Sequence, residues 1–167
     1  MRNLITYEEL GLLARPCSTD RELAEAFIAE AQREDIRRRI GDKLYLQLIE
    51  EFPNERFDIL LNGGACGDSY ITGLKTALAY YALARIIRDG NIKATSYAAV
   101  IKDDQYSTDP DTAERQRQYR ELFGQADGIM SEVLTYLADN AKTFPEYQSC
   151  KTDTTSNRMK IRVIKKI

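Results

Sequence analysis

The side chains best able to do chemistry are few here, and their spacing suits little of it. None of the 167 residues is histidine. Histidine is the usual general acid–base near neutral pH and a common metal ligand. Its absence excludes Ser-His-Asp and Cys-His catalysis and the usual Cys/His zinc sites, and leaves carboxylate or lysine chemistry open. The cysteines Cys17, Cys66 and Cys150 are odd in number and contain no CxxC pair. They indicate neither a disulfide framework nor a zinc site, and free thiols suit a reducing compartment such as a bacterial cytoplasm.

The run Gly63-Gly64-Ala65-Cys66-Gly67 invites comparison with a phosphate loop. It lacks the Gly-Lys-Ser/Thr ending, and no clear strand precedes it, so a flexible interhelical loop over 62–69 is the expectation. Cys66 has no histidine to activate it as a nucleophile. Asp103-Asp104 and Asp109 with Asp111 lack the Gly and terminal Glu of a calcium loop. They read as loop charge and helix caps, and Glu50, Glu51 and Glu55 as surface charge. No catalytic, cofactor-binding or metal-ligating residue is assigned.

The cations form two groups. Arg37-Arg38-Arg39 follows Glu30, Glu34 and Asp35, so local charge nearly balances, and a solvated helix face with i,i+4 ion pairs is expected. The basic segment 158–166 suits a phosphate backbone better. Within it, however, Met159, Ile161 and Val163 alternate with Lys160 and Arg162, a strand pattern of period two. Such a strand can add to a sheet edge of a neighbouring subunit or pair within its own fold with 92–102. The alternation does not name its partner.

Composition bounds what must position these groups. The chain is 43% hydrophobic and 30% charged with net charge −2, a globular balance without a global field toward nucleic acid or anionic membrane. Its length fits one domain able to bury a core without disulfides or metal. Glu8 and Glu9 interrupt the few apolar residues at the N-terminus, so no signal peptide is expected. No segment approaches the ~20 apolar residues of a membrane span. A soluble protein, not exported by a classical route, is the expectation.

Periodicity predicts a mainly α bundle of about four helices. After an entry segment over 4–13, Thr19 and Glu22 read as a capping box for a helix with the stripe Leu23, Phe27, Ala31, the anchors Ile36 and Ile40, and Gly41 as its left-handed end. Asp42 caps a second helix to about Phe52, with Leu44, Tyr45, Leu48 and Ile49 on a wide apolar face. A third, from about Thr72 to Asp89, is apolar on most sides, with Lys75 and Arg85 opposite its main stripe. It should be central, its alanines letting neighbours approach. Residues 91–108 lack a helical stripe and read as an extended loop or β-hairpin, long enough to be functional. Asp109-Pro110 opens the last helix. Its stripe is Tyr119, Leu122, Phe123, Ala126, Met130, Val133, Leu134 and Leu137. Gly124 and Gly128 within it mark a kink or a close packing point. Residues 1–147 form the helical domain, and 148–167 a polar linker with the C-terminal β-strand, not a separate domain.

Several of these segments fall in a recognisable order: Ile40-Gly41-Asp42-Lys43-Leu44-Tyr45; the glycine-rich loop at 63–67; Gly73-Leu74-Lys75-Thr76-Ala77-Leu78-Ala79-Tyr80-Tyr81-Ala82 with Arg85; Gly90-Asn91; then Tyr97, Val100, Lys102 and Asp104-Gln105-Tyr106-Ser107. Over about 19–147 the chain resembles the small head–tail connector (adaptor, or head-completion) proteins of tailed bacteriophages, including prophage-encoded relatives. The resemblance implies a structural virion-assembly protein, not an enzyme. It would form a ring homo-oligomer beneath the portal protein, extend the DNA channel without sequence-specific contact, and meet a tail-completion protein. It would occupy the bacterial cytoplasm during assembly and the head–tail junction of the virion, with no membrane partner and no cofactor. The family reaches neighbours through loops and terminal segments. That points to Tyr97, Val100, Ile101 and Tyr106, and to Lys160, Ile161, Arg162 and Val163, although the basic C-terminal strand has no clear counterpart in the family pattern. A different reading is a small nucleic-acid-binding or regulatory helical protein using Arg37–Arg39 or the basic tail. An enzyme working through two buried carboxylates is a third.

Overall fold

The computed structural model describes residues 2–51, 54–67, 69–89, 92–94, 99–101 and 112–147. The protein is mainly helical, with two short antiparallel hairpins. The entry segment contains a helix of its own, α1 (Tyr7–Leu13), closed by a capping box in which the Thr6 hydroxyl accepts from the Glu9 N–H and the Glu9 carboxylate accepts from the Thr6 N–H. The box expected at Thr19–Glu22 is absent. Asp20 caps α2 (Arg21–Ala31) instead, its carboxylate accepting from the N–H groups of Glu22 and Leu23. A carboxylate one residue closer to the helix satisfies two orphan donors at once and faces the positive end of the dipole.

α2 runs through a π turn (Gln32–Ile36) into α3 (Arg37–Ile40), ending at Gly41 with φ 85°. Its buried stripe is Ala24, Ile28, Ala31, Ile36 and Ile40, one position on from the expected Leu23–Phe27 row, whose members are half-buried. α4 (Asp42–Glu50) buries Leu44, Tyr45 and Leu48. A 3-10 turn (Glu55–Phe57) leads into α5 (Asp58–Asn62). The glycine-rich stretch is not an open loop: β1 (Gly64–Cys66) and β2 (Ser69–Ile71) pair as Gly64↔Ile71, Ala65↔Tyr70 and Cys66↔Ser69. Gly63 and Gly73 make this possible. Both have positive φ, and a Cβ on Gly63 would lie 2.5 Å from the Thr72 carbonyl oxygen, one on Gly73 2.5 Å from the Gly63 nitrogen. Only glycine permits this pinch at the base of the hairpin.

α6 (Leu74–Asp89) lies at the centre, packed on α1, α2, α5 and α7 (Thr112–Asp139). Ala77, Ala79, Ala82 and Ala84 are fully buried, so their small side chains set how closely the neighbours approach. α7 runs unbroken for 28 residues and buries Leu122, Ala126, Met130, Val133 and Leu137. Gly124 and Gly128 do not mark a close packing point. Both lie on its exposed side, with nothing within 4 Å of where a Cβ would stand. β3 (Ile92–Ala94) and β4 (Ala99–Ile101) pair as Ile92↔Ile101, Lys93↔Val100 and Ala94↔Ala99, which makes a hairpin of the start of the extended region. After α7 the chain turns and seats Phe144 in the core beside Phe57, ring centroids 6.1 Å apart. The expected starts and ends at Phe52 and Asp109-Pro110, and the C-terminal strand, lie outside the described residues.

Candidate functional site

Charge inside the helical body is used for assembly of the body itself. Arg85, expected opposite the main apolar stripe of α6, is buried. Its Nη2 donates to Asp35 Oδ2 at 2.6 Å and its Nη1 to Glu30 Oε1 at 3.0 Å. Asp35 is buried as well; it sits within the π turn. Each ion in such a pair depends on the other, because neither is solvated by water. Beside it, Asp127 of α7 accepts from Arg39 Nη2 at 2.6 Å and from the Tyr81 hydroxyl at 2.5 Å, while Arg39 lies over the Tyr81 ring. Burial, then the bond to Asp127, pushes the Tyr81 phenol well above its ordinary pKa. The two clusters tie α6 to α2–α3 on one side and to α7 on the other.

The Arg37–Arg39 run is accounted for in the same way. Arg37 pairs with Asp42, Arg38 with Glu34 across one helical turn, and Arg39 with Asp127. Each cation that could meet a phosphate backbone here already has a carboxylate, which leaves little local field to attract one.

A surface groove of about 670 Å³ lies between the β1–β2 hairpin and the C-terminal half of α7, lined by Cys66, Tyr70, Gly128, Glu132, Tyr136 and Asp139 among others. The hairpin is moored to the helix by Thr72, whose N–H and hydroxyl both donate to the Glu132 carboxylate. Tyr70 stands 71% exposed at the rim, and burial pushes the Tyr136 phenol up. An aromatic rim with polar groups behind it can receive a peptide segment. Among the described residues, no group of three or more His, Cys, Asp or Glu could hold a metal ion, and no helix is long and apolar enough to cross a membrane.

Of the residues expected to contact partners, Val100 and Ile101 lie on β4, opposite Lys93 and Ile92. Tyr97, Tyr106, Lys160, Ile161, Arg162 and Val163 lie outside the described residues. The expected loop over 62–69 hides the groove from the sequence, because its wall is the β1–β2 hairpin. Gly63 and Gly73, ten residues apart around Ala65 and Tyr70–Ile71, were the available signal for a pinched hairpin. The sequence reading also misses the Arg85–Asp35 pair, whose signal is a cation set among alanines and isoleucines on the most apolar helix.

No curated protein and no solved structure matches the chain. The sequence pattern of the family of unknown function DUF6712 matches residues 36–157, from the π turn through α7 and beyond. That span holds most of the chain, including both hairpins, the pinched glycines and the groove, so the protein belongs to the DUF6712 family.

Proposed function

We propose that this protein is a structural virion-assembly component, resembling a phage head–tail connector that docks as a ring under the portal and extends the DNA channel. The observation that carries the reading is the ordered run of motifs from Ile40 to Ser107. The segments within it have coherent structural roles: Gly41 opens α4, Gly63 and Gly73 pin the first hairpin, Leu74–Arg85 forms the central helix, and Val100 lies on the second hairpin. A helical body tied together by internal ion pairs supports a scaffold, and its hairpins offer backbone edges to neighbours. Resemblance and fold do not by themselves fix function, so the test is biochemical. The chain is co-expressed with a phage portal protein, and complexes are sought by pull-down and electron microscopy. A ring of this chain on the portal is the expected result, even if the chain alone is monomeric. Failure to co-assemble would count heavily against the reading. Salt-dependent DNA binding lost on removal of 158–167 would favour the nucleic-acid-binding alternative instead.

A further inference from the structure

A second cavity, of about 380 Å³, lies where the connection between α1 and α2 meets α6 and the start of α7. Its walls are of two kinds. Pro16, Leu83, Ile86 and Ile87 are apolar, whereas Arg15, Ser18, Thr19, Arg115 and Gln118 bring polar groups. Among the described residues no carboxylate lines it. Nε and Nη1 of Arg115 are fully buried with no hydrogen-bond partner. That sets Arg115 apart from Arg21, Arg33, Arg37, Arg38, Arg39, Arg56, Arg88 and Arg117, each of which has a carboxylate within salt-bridge distance. The nearest acid along the helix is spoken for: Glu114 accepts from Arg117 and from the Gln118 amide.

Two of the three guanidinium nitrogens of Arg115 thus sit buried without acceptors, which is costly, because their N–H groups have given up water for nothing. We infer that this cavity is a phosphate site, in which the Arg115 and Arg15 guanidiniums together hold the dianion of inorganic phosphate or of a small phosphate ester. Two positive charges match a dianion better than a single carboxylate. The Ser18 and Thr19 hydroxyls can donate to further oxygens. The apolar wall of Pro16, Leu83, Ile86 and Ile87 can cover the organic part of an ester. The inference does not depend on the assembly reading: the site belongs to one copy of the chain and needs no portal.

The test is calorimetric titration of the full-length chain with inorganic phosphate, and separately with glycerol 3-phosphate, against chloride at matched ionic strength. Saturable one-to-one binding is expected. It should weaken about tenfold or more in both Arg115→Met and Arg15→Gln, the loss of one charge-assisted contact. Thermal melts keep the result interpretable. Without phosphate, Arg115→Met should melt at the same temperature as the parent or higher, since it removes two buried N–H-bearing nitrogens that have no acceptor. With phosphate, only the parent should gain stability. Tighter binding of the ester would assign the apolar wall to its organic part; equal binding would assign the site to the free anion. No saturable heat with either anion, or binding that both substitutions leave unchanged, would overturn the inference. So would a marked loss of stability in phosphate-free Arg115→Met, which would mean that a protein group already engages the guanidinium.

Discussion

α6 and α7 are the two longest helices among the described residues, and they solve opposite problems. α6 presents buried residues on nearly every side, and even its arginine at position 85 is enclosed. α7 buries one stripe and leaves a long face to solvent, interrupted by two glycines that touch nothing. On α6, each side chain is fixed by several neighbours at once, so volume and charge must both balance. On α7, only the stripe is constrained, and the outer face is open to other demands. The difference separates the scaffold from the surface available for contact.

Substitutions can break or sharpen that contrast. The largest effect should come from Asp35→Ala, which removes the buried partner of the enclosed Arg85 guanidinium and leaves it only the more exposed Glu30. A loss of about 3–5 kcal/mol is expected in urea unfolding, whereas replacing both partners by apolar residues of similar volume should recover most of it. A loss below 1 kcal/mol for the single change would show that the pair is better solvated than its burial indicates. Next comes Ala82→Leu, which overfills the contact between α6 and its neighbours and should cost about 1–3 kcal/mol. The matching change on the exposed face of α7, Gln125→Leu, should stay within about 0.5 kcal/mol. Similar costs at both positions would erase the distinction. Gly124→Ala should raise stability by about 0.5–1 kcal/mol, because the glycine only adds freedom to the unfolded chain. A loss there would reveal a hidden packing demand on the open face.

The smallest effect concerns acid. The Arg117 guanidinium and the Gln118 amide hold the Glu114 carboxyl down at about 2, against an ordinary value of 4.5. A folded-state pKa below the unfolded one gives stability that is present above about pH 4.5 and lost as the pH falls toward 2. The group is exposed, so the slope should be shallow. Glu114→Gln should flatten the melting temperature against pH over that window, lowering it slightly at neutrality and leaving it unchanged near pH 2. A larger change at neutrality would mean that the start of α7 bears more of the fold than its exposure suggests.

Much of the helical body was legible because it rests on periodicity. The stripe from Tyr119 to Leu137, the apolar α6 with its alanines and the turn at Gly41 all follow from residue spacing. Choices between adjacent candidates were less legible. Thr19 and Asp20 are both good caps, and only the backbone path selects Asp20. Short strands such as Gly64–Cys66 carry too few side chains for alternation to register. Their hairpin depends on Gly63 and Gly73 meeting at its base, a contact that neither helical nor strand periodicity announces. The Arg85–Asp35 pair was hidden for a related reason: its members are fifty residues apart. The Arg115 cavity depends on the loop at 15–19 crossing the start of α7, which no local pattern announces.

The π turn at Gln32–Ile36 has a consequence for how this protein can change. Ile28, Gln32, Ile36 and Ile40 recur every four residues, and on an unbroken α-helix such a row would wander by roughly 120°. The wider turn takes up that drift, as a leap day realigns a calendar. Gln32 can therefore accept from the Leu4 N–H and donate to the Arg2 carbonyl and the Tyr45 hydroxyl, while Ile36 and Ile40 still meet the core. Insertions and deletions in this rod are thus not interchangeable. Removal of one residue at the bulge would return the helix to common time and turn everything after it out of phase. Any lineage that kept this core should keep the count of residues between Ile28 and Ile40 more strictly than their identities.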